Sequence, residues 1–112
     1  MSKKTIEDVQ KYVQRVAEKR GWKLHPNDDN TLDMLVQGLT DYYNRVGYFN
    51  CPCRDSEEDR TLDRDILCPC DYAKPDIDEH GRCYCALFFD PEYDFTQEIG
   101  MIRDRRPEPD YY

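Results

Sequence analysis

The stretch from Cys51 to Cys85, CPCRDSEEDRTLDRDILCPCDYAKPDIDEHGRCYC, contains every cysteine of the chain. The six cysteines form three Cys-x-Cys pairs, which are Cys51-Pro52-Cys53, Cys68-Pro69-Cys70 and Cys83-Tyr84-Cys85. Fourteen residues separate the first pair from the second, and twelve separate the second from the third. Connections of this length can return each pair to one place, so a single inorganic centre is the economical interpretation.

Six cysteines in a small protein are compatible with a disulfide framework, a zinc site or an iron-sulfur site. A disulfide framework needs an oxidising compartment, and residues 1–8 carry acidic residues and lack the apolar segment of a secretory signal. Structural zinc usually takes four ligands from pairs with two to four intervening residues, whereas here each pair has one and two cysteines would be left over. A [4Fe-4S] cluster on four thiolates, with the other two as a redox dithiol, uses all six. The count favours this third site and leaves the other two open.

At these cysteines the sequence resembles the catalytic subunit of ferredoxin:thioredoxin reductase and related ferredoxin-dependent disulfide reductases, whose pattern is CPC, CPC and CHC in this order. The resemblance covers most of residues 5–96. Further matching positions are Gly38-Leu39, Tyr48-Phe49-Asn50, Arg54, Leu87-Phe88-Phe89-Asp90-Pro91 and Asp94-Phe95. The chain departs from the family in having Tyr84 where histidine is common, and in spacings that differ by a few residues from plant-type members.

The resemblance implies a role for each cysteine. The ligands of a [4Fe-4S] cluster would be Cys51, Cys68, Cys70 and Cys83. Cys53 and Cys85 would be the redox-active pair, with Cys53 as the outward nucleophile that forms a mixed disulfide with the target. The implied electron donor is ferredoxin, the implied acceptor is thioredoxin or a thioredoxin-like protein, and a second subunit is a further partner to test for.

Two other functional classes stay open at this point: a zinc-binding module and a one-electron iron-sulfur carrier, both without disulfide reductase activity. The proton source is a separate question, because Tyr84 has an ordinary pKa near ~10 and is a poor donor at neutral pH. We interpret Tyr84 as a packing residue, with His80 or solvent as the source of protons.

The length predicts one small domain over residues 1–112. The cysteine count and the family resemblance imply that it is mainly α, made of short helices and loops folded around one [4Fe-4S] cluster. A chain of 112 residues with 38% apolar residues buries a modest core, so bound metal should contribute to folding. Residues 101–112, with their arginines, prolines and terminal tyrosines, are expected to form an extended tail.

The formal net charge of −8 argues against nucleic acid as a partner, because phosphate binding depends on clustered Lys and Arg. No apolar run approaches the length needed to span a membrane, and we expect a cytoplasmic protein. An acidic ferredoxin would be repelled by the average charge, so its docking needs a local basic patch. The segment Arg103-Asp104-Arg105-Arg106, together with Arg82, is the candidate that the sequence offers.

Two helices are predicted before the first cysteine pair. Thr5 and Asp8 indicate a helix start, and apolar residues at helical spacing continue to Gly21. A second helix begins after Asn27 or Asn30 and ends at Gly47. Gly38 lies inside this helix at a cost of up to ~1 kcal/mol relative to alanine, which indicates close approach of another element.

Three further predictions concern the remaining chain. Ser56 and Asp59 indicate a third short helix, with Leu62 and Ile66 facing inward. The polar run 71–81 is predicted to be a turn-rich excursion. Asp90-Pro91 is predicted to start a last helix that ends near Gly100.

Overall fold

Three helices and one small sheet make up the regular structure that a computed structural model describes for residues 3–26, 30–96 and 99–106. In chain order these elements are α1 (Ile6–Arg20), β1 (Lys23–Leu24), α2 (Thr31–Val46), α3 (Ala73–His80) and β2 (Phe88–Phe89). The two strands are antiparallel, with Lys23 opposite Phe89 and Leu24 opposite Phe88. The expectation of a mainly α fold thus holds only roughly, because irregular chain from residue 47 to residue 72 carries the first two cysteine pairs.

The first predicted helix is confirmed with both of its ends. The Thr5 hydroxyl accepts a hydrogen bond from the Asp8 amide, and the Asp8 carboxylate accepts one from the Thr5 amide. Gly21 ends α1 in the left-handed conformation that glycine adopts without strain. The apolar face of α1 buries Val9, Val13 and Ala17 in the core.

The second predicted helix is also confirmed, although its first turn lacks a side-chain cap. Asn30 precedes α2 in a left-handed conformation and makes no capping hydrogen bond, whereas Asn27 lies outside the described residues. Another element approaches Gly38 closely, as predicted, and it is the first cysteine pair: a Cβ atom added there would lie 2.9 Å from Cβ of Pro52. The absence of a side chain at Gly38 therefore lets α2 contact the loop that carries Cys51.

The predicted third helix is wrong, because residues 55–67 form turns. The Asp63 carboxylate accepts hydrogen bonds from the hydroxyls of Tyr48 and Ser56 and from the Glu57 amide. These local hydrogen bonds to side chains replace bonds that a helix would need, so they compete with helix formation. Ile66 is buried as expected, but Leu62 is 43% exposed.

The polar run 71–81 contains α3, where a turn-rich excursion was predicted. Pro75 lies in the first turn of this helix, where an amide hydrogen has no intrahelical partner to lose. One face of α3 buries Ala73, Asp76 and Ile77, and Gly81 ends it in a left-handed conformation. Proline disfavours the interior of a helix, but at this first-turn position it is tolerated.

The predicted last helix is wrong for the part that the structure describes. Asp90 accepts a hydrogen bond from the Glu92 amide, and residues 91–96 form turns; residues 97 and 98 lie outside the described residues. Phe89, Tyr93 and Phe95 pack against one another with ring centroids 4.7–5.0 Å apart. This aromatic contact folds residues 90–95 back onto β2.

The core lies where α1, α2 and the segment 83–89 meet. Its most deeply buried large side chains include Leu39, Ile66, Leu87, Phe88 and Phe89. Trp22, the only tryptophan of the chain, extends this core with its ring centroid 5.3 Å from that of Phe88. The thiols of Cys51, Cys68, Cys83 and Cys85 belong to the same buried cluster.

The C-terminal segment 99–106 has no helix or strand, and ion pairs fasten it to the body of the protein. Asp104 pairs with Arg54, Arg105 pairs with Asp76 and Glu79, and Arg106 pairs with Asp65. Residues 107–112, the rest of the predicted tail, lie outside the described residues.

Candidate redox site

Five of the six cysteines line one small cavity with a volume of about 10 Å³. The cysteines concerned are Cys51, Cys68, Cys70, Cys83 and Cys85, and the other lining residues are Pro69, Ala73, Tyr84 and Phe88. All four ligands that the family resemblance implies are in this set. The structure thus brings together the three pairs that the sequence separates by fourteen and twelve residues.

Main-chain hydrogen bonds hold the first two pairs side by side. The Cys51 amide donates to the Ile66 carbonyl at 2.8 Å, and the Cys68 amide donates to the Phe49 carbonyl at 2.7 Å. Asn50 is fully buried, and its amide nitrogen donates to the carbonyls of Cys51 and Arg54. The first pair is therefore attached both to the second pair and to its own following turn.

The third pair lies in a tight loop that Arg82 holds from outside. The guanidinium of Arg82 donates to the carbonyls of Cys83, Tyr84 and Gly100. Within the loop the Cys83 amide donates to the Phe88 carbonyl, and the Phe88 amide donates back to the Cys83 sulfur at 3.3 Å. Ala86 has a φ of 61°, a left-handed conformation that is uncommon for alanine and turns the chain back at this point.

The buried thiols differ in the charge state that their surroundings favour. A hydrogen bond from Cys85, assisted by backbone amides that include Phe88, lowers the pKa of Cys83 to about 7. Burial raises the pKa of Cys70 to about 12 and raises that of Cys68 further. Thiolates at Cys68 and Cys70 therefore need a positive partner in the cavity.

Cys53 and Cys85 combine an exposed cysteine with a buried one. Cys53 is exposed, Cys85 is buried, and neither forms a disulfide in this structure. The Cys85 sulfur lies 3.9 Å from the Cys83 sulfur. Interaction with the Cys85 thiol lowers the pKa of Cys53, and interactions with Cys51, Cys53 and Cys83 raise the pKa of Cys85. The arrangement favours thiolate at the exposed position and thiol at the buried one.

Arg54 places a buried positive charge next to the cysteines. Its guanidinium lies between two aromatic rings, 4.4 Å from the Tyr84 centroid and 5.3 Å from the Tyr72 centroid. One terminal nitrogen pairs with Asp104 at 2.5 Å, whereas Nε and Nη2 are buried and have no hydrogen-bond partner among the described residues. Although burial opposes it, the Asp104 carboxylate raises the pKa of Arg54, and the nearby Cys51 and Cys70 act in the same direction.

These residues fit an iron-sulfur cluster by the chemistry of their donors. Four thiols line one enclosed space with walls formed by Pro69, Ala73 and Phe88, and each iron of a [4Fe-4S] cluster accepts one thiolate. Among residues 3–26, 30–96 and 99–106, no three His, Cys, Asp or Glu side chains lie close enough to share a single metal ion. The buried charge of Arg54 beside Cys51 and Cys70 suits an anionic group at this place.

Three of the four arginines of the predicted docking patch make contacts within the protein, and the fourth, Arg103, is exposed. The guanidinium of Arg82 is buried against three carbonyls, and Arg105 and Arg106 are paired with carboxylates. His80 lies away from the cysteine cavity. It is the last residue of α3, lies near Glu79 and does not line the cavity.

Sequence reasoning missed the structural roles of Arg54, Arg82 and Tyr12. The first two arginines directly adjoin Cys53 and Cys83, and this adjacency is the signal that could have indicated a role in the site. Tyr12 gave no such signal, because its hydroxyl donates to the Cys68 carbonyl across 56 residues of sequence.

A cavity lined by five cysteines, with an exposed sixth cysteine nearby, is typical of a small cysteine-based oxidoreductase. The chain matches the family model "Ferredoxin thioredoxin reductase catalytic beta chain" over residues 1–105, and it belongs to this family.

Curated relatives agree with this assignment. The chloroplastic ferredoxin-thioredoxin reductase catalytic chain of Spinacia oleracea is 30% identical over 105 residues, which cover 89% of this chain and 68% of the spinach protein. The corresponding chain of Glycine max is 29% identical, with coverage of 85% and 64%. That of Porphyra purpurea is 25% identical, with coverage of 87% and 80%. The chain thus spans about two thirds of the length of the spinach and soybean proteins.

The helices in the described part of the chain are too short or too polar to cross a membrane.

Proposed function

We propose that this protein reduces a disulfide bond of a thioredoxin or thioredoxin-like protein with electrons from reduced ferredoxin, in a reducing compartment such as the cytoplasm. The observation that carries the proposal is the cavity lined by five cysteines, with the exposed Cys53 near enough to the buried Cys85 for that thiol to lower its pKa. The names of the spinach and Porphyra proteins, which state a ferredoxin-thioredoxin reductase, support the same donor and acceptor.

Cys51, Cys68, Cys70 and Cys83 would hold a [4Fe-4S] cluster in this proposal. When bound, the cluster supplies one-electron redox chemistry beside the cysteine pair, so that a one-electron donor can serve a two-electron reduction. The hydrogen bond from the Phe88 amide to the Cys83 sulfur and the nearby charge of Arg54 stabilise thiolate charge at these positions.

The exposed sulfur of Cys53 begins the reaction on the target. Its thiolate attacks one sulfur of the target disulfide, so a mixed disulfide forms, the target bond breaks, and the departing target sulfur takes up a proton. The target is a folded protein, and Cys53 is the one exposed cysteine of the six. Only this position allows such an approach without movement of the core.

Cys85 completes the transfer. After losing its proton it attacks the Cys53 sulfur, which forms the Cys53–Cys85 disulfide and releases the second target thiol. The two sulfurs are close enough for each to shift the pKa of the other, which suits this step. Two electrons and two protons then restore both thiols.

The test compares cysteines with different proposed roles. Cys53→Ser should retain iron and acid-labile sulfide and lose target reduction, because a nucleophile does not bind metal. Cys68→Ser and Cys70→Ser should lose the iron and much of the folded state, because ligands contribute to folding through the metal. Iron, sulfide and free thiols are measured on anaerobic protein, together with ferredoxin-driven reduction of a thioredoxin.

Three results would contradict the proposal. Zinc in place of iron would show that the site does not hold an iron-sulfur cluster. A Cys53→Ser protein without iron would show that the cysteine roles are misassigned. Failure of the unmodified protein to gain two free thiols on reduction would show that Cys53 and Cys85 are not a redox pair.

A further inference from the structure

The C-terminal segment 99–106 lies against two of the three cysteine pairs. The Gly100 carbonyl accepts a hydrogen bond from Arg82, which adjoins the third pair. The Asp104 carboxylate accepts one from Arg54, which adjoins the first pair. A carboxylate from a part of the chain that contains no cysteine is thus attached to the surroundings of the redox site.

The pair of Arg54 and Asp104 differs from the other ion pairs of this segment. Arg105 and Arg106 supply positive charge to carboxylates on α3 and in the loop before it. At Asp104 the signs are reversed, because here the segment supplies the carboxylate and the body of the protein supplies the arginine. The Asp104 side chain is 42% exposed and that of Arg54 is 3% exposed, so the pair joins a surface charge to a buried one.

The buried guanidinium of Arg54 has hydrogen-bond donors that the protein does not use. Nη1 donates to Asp104 at 2.5 Å, whereas Nε and Nη2 are buried without an acceptor among residues 3–26, 30–96 and 99–106. A buried donor that lacks an acceptor costs free energy, and it costs more when the group is charged. Two such nitrogens on one cation therefore indicate that a further acceptor belongs at this place.

The acceptor that fits these donors is anionic sulfur in the cysteine cavity. The guanidinium lies over the ring of Tyr84, a residue that lines the cavity. Burial opposes its charge, but Asp104 and the nearby Cys51 and Cys70 raise the pKa of the guanidinium, so its charge interacts with two of the proposed ligands. Net charge and hydrogen bonds to the sulfur atoms are among the factors that set the reduction potential of an iron-sulfur cluster.

We propose that Arg54 and Asp104 together set the reduction potential of the cysteine site. Arg54 donates the N–H groups of Nε and Nη2 to sulfur atoms of the group that the cysteines hold, and Asp104 fixes the guanidinium and offsets part of its charge. The inference rests on the proposed function for the identity of that group as a [4Fe-4S] cluster. Neither residue carries an electron or a proton; both are positioning residues that act through their charges.

The two charges act on the potential in opposite directions. A cation beside the site stabilises the state with one more electron and so raises the potential, and a carboxylate paired with that cation lowers it. The effect of Arg54 is the larger one, because its charge is buried, whereas solvent and salt screen the exposed Asp104. Removal of each charge should therefore shift the potential with opposite sign, which a loss of packing would not do.

The test compares Arg54→Met and Asp104→Asn in the full-length holoprotein. The asparagine retains an oxygen that accepts the hydrogen bond from Nη1, so only the charge is removed. The midpoint potential is measured by anaerobic redox titration, followed by visible absorption and electron paramagnetic resonance. For Arg54→Met we expect at least a tenfold fall in the one-electron equilibrium constant for reduction, which is a downward shift of about 59 mV. For Asp104→Asn we expect at least a threefold rise in the same constant.

Two exposed ion pairs supply matched controls. Arg45→Met removes an arginine that lies over a tyrosine ring and pairs with a carboxylate, as Arg54 does. Glu79→Gln removes a carboxylate that pairs with Arg105 of the same C-terminal segment. Neither Arg45 nor Glu79 lines the cysteine cavity. Each control should change the equilibrium constant less than twofold.

The direction of the shifts decides the outcome. Potentials that are unchanged in both variants, or that move in the same direction, would show a purely structural role and overturn the inference. Equal shifts in the controls would overturn it as well, because they would report the net charge of the surface. If Arg54→Met does not fold, Asp104→Asn still decides, because it alters a charge at the surface and an absent rise contradicts the inference.

Iron and acid-labile sulfide are measured first on the unmodified protein. A protein without iron would contradict the proposed function and this inference with it. An iron-loaded protein whose potential does not respond to Arg54→Met or Asp104→Asn would contradict the inference alone.

Discussion

Tyr84 is the position at which this chain departs from the family pattern, and the structure gives its ring a packing role. The ring covers the guanidinium of Arg54 at 4.4 Å, and its carbonyl accepts a hydrogen bond from Arg82. These contacts use the ring face and the main chain, and neither uses the hydroxyl. The interpretation of Tyr84 as a packing residue thus gains a specific partner.

Tyr84→Phe should therefore leave target reduction within a few-fold of the unmodified rate, because the ring over Arg54 is retained. Tyr84→His should reshape the pH profile between about pH 6 and 7, because it introduces a group that titrates there. The measurement is the rate of thiol release against pH, with visible absorption as a control for the cluster. A loss of about 100-fold in Tyr84→Phe with intact absorption would make the hydroxyl a general acid and contradict the packing role.

Arg54 and Arg45 offer a matched comparison of a buried and an exposed arginine. Each guanidinium lies over a tyrosine ring and pairs with a carboxylate, but the Arg54 side chain is 3% exposed and that of Arg45 is 59% exposed. We expect Arg54→Met to lower the free energy of unfolding by about 2 kcal/mol, as for a hydrogen bond to a charged group. Arg45→Met should cost less than about 1 kcal/mol. Urea unfolding measures both changes. Equal losses of unfolding free energy in the two variants would show that burial of Arg54 does not strengthen its contribution to stability.

At the scale of the elements, local signals decided which predictions held. Thr5, Asp8 and Gly21 determine the ends of α1 through contacts within a few residues, so the sequence alone was sufficient. The segment 55–67 carries a similar Ser-x-x-Asp signal, but its hydroxyl and carboxylates bond to Tyr48 and to other turn residues. That competition depends on Tyr48, which lies outside the segment, and could not be predicted from the segment itself.

For the site, too, the sequence predicted what depends on nearby residues and not the contacts between residues distant in the chain. The pairing of the six cysteines into one region was visible in their spacing, because proximity in sequence limits their separation in space. The bonds of Arg54 to Asp104 and of Tyr12 to Cys68 span 50 and 56 residues, so only the folded chain shows them.

Gly38 is the contact point between α2 and the first cysteine loop, and its substitution tests how closely the two elements fit. Alanine in a helix usually stabilises by up to about 1 kcal/mol relative to glycine. Here the added Cβ would lie 2.9 Å from Cβ of Pro52, whose rigid ring cannot move away without its backbone. We expect Gly38→Ala to destabilise by about 1 kcal/mol or more, as overpacking does, and to lower iron content.

Gly100→Ala is the control for this substitution, because an added Cβ there meets no atom within 4 Å. Thermal unfolding and iron analysis are measured on both variants. A more stable Gly38→Ala protein with full iron content would mean that the loop adjusts freely to α2.

For the whole molecule, pairing of carboxylates with cations and hydroxyls makes stability depend on pH. Although burial opposes the effect, hydrogen bonds from Ser56 and Tyr48 lower the pKa of Asp63, and those from Tyr72 and Arg106 lower that of Asp65. Hydrogen bonding to Arg54 lowers the pKa of Asp104 in the same way, against its burial. Each carboxylate is thus a weaker base in the folded chain than in the unfolded chain, where its pKa is about 3.9.

Acid should therefore destabilise the protein with a defined onset. The contribution of these carboxylates is fully present above about pH 5 and is lost as the pH falls through their lowered folded pKa values, because the unfolded chain then binds more protons. Urea midpoints between pH 7 and pH 3 should be flat at first and then fall. Asp63→Asn should flatten the fall, whereas the exposed Asp71→Asn should not; an identical pH dependence in both variants would contradict this account.

Because Trp22 packs on Phe88, its fluorescence should report whether the cysteine cavity is occupied. Trp22 is the only tryptophan, and the ring on which it packs also lines the cysteine cavity. A visible-absorbing group held in that cavity would take up excitation energy from the indole, so ultraviolet-excited emission should be weak when the cavity is loaded and bright when it is emptied. Assembly and loss of the centre can then be followed in real time, without any label.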